Sequence, residues 1–556
     1  DAKSNRKTEA YLMPMTDIHL YANYNQEAEV NGNGQAVSWL FLIAFFILSI
    51  AWTNYINLAT ARSLERAKEV GVRKVMGSDK GMLIGQFMVE AFVMSFLSVL
   101  FAVGIVALVL PAFNRLVEKH LVLNLFSPVH IISLIVIGLL CGLIAGSYPA
   151  FYLSSFNPIK VLKGIKLKTG NAAFVRKGLV VAQFVISVAL IICTIIIYEQ
   201  VMHTKDRELG MNKDNLIYMS QQLISVEKTG DMGSHFEAMK NELLATGVVE
   251  NASLSNNHAF NVGSNSGDFT WPGKDPKKMV LTSMEWTTPE YISTMGMQIM
   301  AGRDFYQSGS GDSNNVVINE ILAKMIDSKK PVAAIGKIIS GQGADLTIVG
   351  IIKDFVYNNV YGSAAPLIIF NDAKEQYTST LTIRFKTGTD YKQNLAKAEA
   401  VIKKINPAYP FEYSFVDDEF EKLFKSETLV GTLASVFAGL AIFISCLGLF
   451  GLAAYTAERR IKEIGIRKVL GASVQNLTAL LSKDFLKLVI ISCIIASPMA
   501  WYFMNGWLQD YEYRINISWW MFALPALLAV AIALITVSFQ AIKAAIANPV
   551  KSLRTE

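Results

Sequence analysis

Seven runs of about 20 mostly apolar residues dominate this sequence and limit what it can fold into: Trp39–Thr60, Phe87–Leu110, His130–Leu153, Lys177–Tyr198, Leu429–Tyr455, Phe485–Met504 and Trp519–Ile542. A hydrocarbon core about 30 Å thick is crossed by about 20 helical residues rising roughly 1.5 Å each. Runs as uniform as Trp39–Ile50 and Leu179–Tyr198 show no wet face that a soluble core helix would need. The chain is therefore read as an α-helical polytopic membrane protein. Its composition agrees, with 52% hydrophobic and 17% charged residues, where soluble chains carry about a quarter charged. The net charge of +6 sits in short loops beside the apolar runs, a placement that points to lipid topology and away from nucleic acid. Cys141, Cys193, Cys446 and Cys493 all fall inside apolar stretches with no CxxC pair, so they read as small core residues and neither a disulfide nor a metal site is expected.

Loops rich in Lys and Arg stay on the cytoplasmic side of a membrane. Arg62–Lys80, Lys160–Lys177, Arg459–Lys468 and Lys543–Arg554 all fall on one side when seven spans alternate. The C-terminus is then expected inside, and residues 1–38 and 203–428 outside. The chain begins outside at Asp1 with no preceding span to bring it there, so it is expected to be the later portion of a longer chain.

Self-comparison finds an internal repeat. Lys68-Glu69-Val70-Gly71-Val72-Arg73-Lys74-Val75-Met76-Gly77 recurs as Lys462-Glu463-Ile464-Gly465-Ile466-Arg467-Lys468-Val469-Leu470-Gly471, a shift of 465 − 71 = 394 with only apolar-for-apolar changes. Glu90 meets Asp484 at the same shift, and Asn157-Pro158-Ile159-Lys160 recurs as Asn548-Pro549-Val550-Lys551. Each copy reads as span, basic loop, span, outer connection, span and Asn-Pro tail, with both copies the same way up. Val70, Val75 and Met76 with Ala67 are expected to form the apolar stripe of a short interfacial helix, with Lys68, Arg73 and Lys74 toward water or headgroups. A plain basic anchor needs charge but no fixed residue order, so the recurrence favours a docking helix for a cytoplasmic partner. Glu90 and Asp484 read either as interface acids that serve that docking or as partners of a neighbouring Lys or Arg.

Residues 203–425 have the composition of a soluble α+β domain. Strands are expected at Asn215–Ser220, Lys278–Trp286, Asn315–Ile318, Asp345–Ile352, Leu367–Phe370, Ser379–Lys386 and Phe411–Val416, and helices at Gly233–Thr246, Pro289–Met295, Glu320–Asp327, Tyr391–Asn406 and Asp417–Ser426. The sequence contains no HExxH, no Gly-x-Ser-x-Gly elbow and no phosphate-binding Gly-x-x-x-x-Gly-Lys-[Ser/Thr] loop. Any nucleotide is expected to be hydrolysed by another polypeptide. The acids Asp417, Asp418, Glu419 and Glu421 read as a solvated helix start.

The paired motifs at Arg66–Gly77 and Arg460–Gly471, Gln183-Phe184-Val185-Ile186-Ser187, Leu209-Gly210-Met211-Asn212-Lys213-Asp214 and Ala301-Gly302-Arg303-Asp304-Phe305 resemble MacB/FtsX-type ABC permeases in their fused, eight-span bacterial form. That resemblance implies a tail of a first periplasmic domain at 1–38, FtsX-like three-span units at 39–164 and 429–556, a linker and leading span at 165–202, and a periplasmic core at 203–428. The core would have two lobes, Asn215–Trp286 with Tyr377–Phe424 and an insert at 287–372. It implies a permease subunit, not an enzyme, in a bacterial inner membrane. Two ATPase subunits would sit beneath the two repeats, binding ATP and Mg with no cofactor on this chain, and would move the periplasmic domain by mechanotransmission. Val70, Val75 and their repeat mates would enter a groove of the ATPase, and Arg73, Lys74, Arg467 and Lys468 would pair with its acids or with lipid headgroups. Efflux or extraction of a drug, peptide or lipoprotein is the leading expectation. Control of a periplasmic enzyme or signalling partner without transport is the alternative, and a purely structural scaffold a third. A periplasmic adaptor or outer-membrane partner is left open. Asn54, Asn57 and Gln183, the main polar groups of the spans, are expected to bond between helices.

Overall fold

The computed structural model describes residues 13–15, 34–155, 170–220, 232–306, 311–372, 377–405, 407 and 410–546. Both Asn-Pro tails and most of residues 1–38 lie outside that set. The chain forms two compact units, one of residues 1–199, 427–508 and 516–556, the other of Gln200–Ser426 with Gln509–Ile515.

The first unit is built from helices α1 (Gly34–Val75), α2 (Lys80–Val117), α3 (Pro128–Ser154), α4 (Gly170–Lys205), α5 (Lys425–Arg459), α6 (Ile461–Val469), α7 (Val474–Leu508) and α8 (Trp520–Ile546). Six of them, all but α6 and α7, are long and apolar enough to cross a membrane. The remaining expected span, Phe485–Met504, lies within the 35-residue α7, whose first half carries Lys483, Asp484 and Lys487. The protein is a multi-pass membrane protein.

Small residues let the helices of each repeat close on one another. Gly138, Gly142 and Gly146 stand one turn apart on α3, and a Cβ at any of them would run into Phe96, Phe92 or Ala91 of α2. At the corresponding positions of α8, Ala529, Ala533 and Val537 are buried. In lipid such close backbone approach supplies the packing that water expulsion supplies elsewhere. Asn54 Nδ2 of the first repeat donates to the Ile444 carbonyl of the second at 2.5 Å, and α4 is tied to the second repeat where Ser187 Oγ meets Ser445 Oγ at 2.9 Å and Ser492 Oγ donates to the Val181 carbonyl at 3.1 Å. Asn57, expected to bond between helices like Asn54, is fully buried with both amide atoms unpaired among the described residues.

The second unit holds one mixed sheet. Its strands are β1 (Leu216–Ser220), β2 (Val249–Ser255), β3 (Asn265–Ser266), β4 (Thr282–Thr287), β5 (Ile299–Gly302), β6 (Asn315–Asn319), β7 (Ile338–Gly341), β8 (Ala344–Ile352), β9 (Leu367–Asn371), β10 (Thr380–Phe385) and β11 (Ser414–Phe415). The order is β11-β1-β10-β2-β4-β9-β6-β8-β5, with β3 on β4 and β7 on β8. Each half has its own core. Ile217, Leu254, Ile383 and Phe385 pack under Phe236, Met239 and Ile402 of the helices at Met232–Ala245 and Tyr391–Ile405. Val316, Ile318, Ile348 and Ile368 pack with Leu322, Phe269 and Trp271. The halves meet at a thin seam, where β2 and β4 pair at Ser255 and Thr287 alone.

Side chains complete that seam. Trp286 N–H donates to Asn256 Oδ1, Leu254 N–H donates to Thr288 Oγ1, and the Asn257 backbone and amide both donate to the Glu285 carboxyl at 3.2 and 2.9 Å. Full burial pushes the Glu285 carboxyl up to about 8, although both Asn257 bonds act the other way.

Residues Gln509–Ile515, which connect α7 to α8, are part of this unit. Gln200 brackets them: its Nε2 donates to the Tyr513 carbonyl and its Oε1 accepts from Ile515 N–H, both at 2.9 Å. His203 stacks on the Tyr513 ring at 4.6 Å and the Arg207 guanidinium lies over it at 4.6 Å. Tyr513 N–H donates to the Tyr361 carbonyl, and Glu512 accepts from Ser363 N–H.

The folded unit holds the Glu285 proton in a pH range where the unfolded chain has released it. Its stability should therefore fall as pH rises from about 4.5 to about 8 and level off above, by on the order of a few kcal/mol. In Glu285→Gln the thermal unfolding midpoint of the solubilised chain should lose that slope; parallel curves for both proteins would refute the assignment.

Candidate functional site

The repeated motif forms a small structure at the basic end of each three-helix unit, and the two copies share their glycine stop, ion pairs and lysine contact. In the first copy the motif is the end of α1, unbroken from the span; in the second it is the separate helix α6, set off by Arg460 at φ −96°, ψ 10°. Both end in a left-handed glycine, Gly77 at φ 97° and Gly471 at φ 90°. The next N–H, of Ser78 or Ala472, returns to the Arg73 or Arg467 carbonyl at 3.0 or 2.9 Å, a helix stop that needs glycine's freedom at positive φ. The following helix is capped by Asp79 in one copy and Ser473 in the other.

Charges in the motif are largely spent inside the chain. Arg73 pairs with Glu69 at 2.7 Å and Arg467 with Glu463 at 2.8 Å, one helical turn apart. Arg66 meets Glu90 at 2.7 Å and Arg460 meets Asp484 at 3.4 Å. Of the two readings of these acids, the structure displays the ion pair, in both copies. Lys74 Nζ donates to the Ser154 carbonyl at 2.7 Å, and Lys468 Nζ donates to the Ala545 and Ile546 carbonyls at 2.8 and 3.2 Å. Each lysine thus places a cation on the unpaired carbonyls that close α3 or α8, where the helix dipole is negative.

The apolar residues divide differently from the expected stripe. Val70 is 1% exposed and Ile464 5%, so neither is free to enter a partner's groove. Ile464 instead packs with Leu477, Leu481, Ala541 and Ala545, and Gly71 and Gly465 beside them are buried too. The outward face is Val72, Val75 and Met76 in one copy and Ile466, Val469 and Leu470 in the other, reaching 82% exposure at Met76 and 80% at Leu470. The i, i+3, i+4 spacing of these residues marks one helix face. Val75 and Met76 belong to the expected stripe, with Val72 in the place of Val70, and the same spacing is the signal that adds Leu470. The side chains of Lys68 and Lys462 lie outside the described residues.

Comparison with known proteins agrees with this duplication. The FtsX-like permease C-terminal family matches twice, at residues 41–158 and 435–549, and the MacB-like periplasmic core domain matches residues 178–401. The chain is a MacB/FtsX-like ABC transporter permease. It is 21% identical over 245 residues to the macrolide export ATP-binding/permease protein MacB of Neisseria gonorrhoeae, a match covering 42% of the chain and 36% of the relative. It is 22% identical over 282 residues to the uncharacterized ABC transporter permease YknZ of Bacillus subtilis, covering 48% and 68%. The match to the N. gonorrhoeae relative thus spans little more than a third of that protein's length.

Other motifs of the permease fix its loops. Gly210 (φ 77°) lies against the Asp354 carbonyl, where no Cβ would fit. The buried Arg384 guanidinium binds the carbonyls of Asn212, Asp214 and Thr294 at 2.7, 2.9 and 2.6 Å. Arg303 pairs with the buried Asp312 at 2.7 Å, and this pair with the Tyr306 N–H and Asn315 bonds holds the Asp312 carboxyl down at about 2 despite its burial. The expected acidic helix start is likewise paired: Lys213 bonds Asp417, Lys422 bonds Glu419 and Lys205 bonds Glu421.

Replacing Lys74 or Lys468 with Met should destabilise its repeat by about 1–2 kcal/mol, the cost of losing a charge-assisted bond to helix-terminal carbonyls. Thermal unfolding of the purified permease checks this, and unchanged midpoints in both variants would remove the capping role.

Proposed function

We propose that this permease couples ATP hydrolysis by separate cytoplasmic ATPase subunits to movement of its periplasmic domain, driving export or extraction of a substrate such as a drug, peptide or lipoprotein. The observation that carries this reading is the twofold-repeated apolar face, Val72, Val75 and Met76 with Ile466, Val469 and Leu470, held outward by a buried valine or isoleucine and a capping lysine. Exposed apolar side chains at i, i+3 and i+4 suit a groove on a partner protein. Two copies in one chain suit a partner that is itself a dimer. The basic loops and the C-terminus are assigned to the cytoplasmic side of the bacterial inner membrane, and Gln200–Ser426 to the periplasm.

Movement has a route through the chain. The periplasmic unit is continuous with α4 at one end and α5 at the other, and it also holds the α7–α8 connection through Gln200 and Arg207. A shift of the paired repeats is thereby passed on at three places. Transport of a macrolide-like drug is suggested by the macrolide export for which the MacB relative of N. gonorrhoeae is named; ATP and Mg are assigned to the partner.

Met76→Asp combined with Leu470→Asp should reduce copurification of the ATPase at least about tenfold, as a charge buried in an apolar groove costs over 1.4 kcal/mol, with the fold intact because both positions are exposed. Gly71→Pro should also uncouple the ATPase, through the helix, at about 3 kcal/mol or more of local disruption. Retention of a fully stimulated ATPase by the double aspartate variant would sink the proposal.

A further inference from the structure

At the basic end of α7 and α8 an open groove of about 660 Å³ runs along the helix surface. Leu486, Ile490, Leu534 and Ile542 form its apolar walls. Lys483 and Lys487 stand one turn apart on its edge, both exposed and neither in an ion pair among the described residues. Ser482 also lines it. That residue is 4% exposed, yet its hydroxyl has no hydrogen-bond partner, and the Thr478 hydroxyl one turn earlier is likewise buried and unpaired. Buried hydroxyls left unbonded are costly, and two of them in a groove edged by two lysines that form no ion pair among the described residues ask for an oxygen-rich anion.

The first repeat supplies the contrast. Its groove of about 540 Å³ is lined by Val89, Phe92, Val93, Phe96, Leu97 and Leu100. At the shift of 394, Val89 and Val93 stand where Lys483 and Lys487 do, Met88 stands at Ser482 and Ile84 at Thr478. The first groove is lined by apolar residues throughout, whereas the second carries Thr478, Ser482, Lys483 and Lys487 on α7, with Gln475 and Ser538 also in its lining. Lys483 is next to Asp484, whose pair with Arg460 marks the end of the membrane helices, and Lys487 is one turn further in. That is headgroup depth on the side of the basic loops, with apolar walls continuing toward the bilayer core.

We infer that the second repeat binds one anionic phospholipid, its phosphodiester held by Lys483, Lys487, Ser482 and Thr478 and an acyl chain lying along Leu486 and Ile490, and that the first repeat has no such site. Attraction of an anionic headgroup to two interfacial lysines supports specificity over a zwitterionic lipid of the same chains. The site does not depend on which protein docks below.

Native mass spectrometry of the full chain, with phosphatidylglycerol or phosphatidylcholine of identical acyl chains, tests this. Phosphatidylglycerol should be retained in preference by roughly tenfold or more, and Lys483→Val with Lys487→Val should remove that preference while leaving phosphatidylcholine unchanged. Ser482→Ala should weaken phosphatidylglycerol retention severalfold. Lys80→Ala, an exposed interfacial lysine of the first repeat, should have no effect. Since the valines are those the first groove already tolerates, folding should persist; Lys483→Gln with Lys487→Gln gives the same reading if it does not. The inference is overturned if wild type holds both lipids equally, if the paired lysine variants keep the preference, or if Lys80→Ala loses as much.

Discussion

The basic end of each repeat hangs on one lysine. Lys74 and Lys468 reach back from the motif to the last carbonyls of the third helix of their unit, groups that a membrane helix cannot leave bare at an apolar boundary. With the lysine in place, the motif is pinned at its glycine stop on one side and at Val70 or Ile464 on the other. What is left facing outward is then fixed by geometry. A single cation thus decides where three apolar side chains point, and it does so twice in one chain.

Much of this was legible in the residues and some was not. The apolar runs located the membrane helices because a bilayer demands a length and composition that few other environments do. Alternation located β6, β8, β9 and β10, whose apolar residues fill the core. It missed β2, Val249–Ser255, because its sequence is polar: Ser253 and Ser255 are buried by the strands they pair with and not by their own hydrophobicity. The four-residue β5 and β7 were missed because a strand so short is fixed by its partner β8. The repeat itself was visible, yet the face it presents was not. Val70 and Val72 are alike to a reader of sequence, and only the packing of the second and third helices separates them.

The sheet of the outer unit is thinnest at one line. Its two halves each have a core of their own and share a third, which joins Leu216 and Phe420 to Val317 and Ile369, while between β2 and β4 the ladder thins to a single residue pair helped by Asn256, Asn257 and Thr288 side chains. The Tyr513 connection reaches the unit through the 357–363 loop, which packs in the core shared by both halves.

The break at Arg460 gives the duplication a mechanical asymmetry. A load applied to the first motif meets a rod, since α1 runs 42 residues from motif to far end without interruption. The same load on the second meets an elbow, because α6 and α5 are separate helices that turn about one residue. Equal strokes from a symmetrical motor would arrive as a thrust on one side and a swivel on the other, so a twofold engine would drive a one-sided tool.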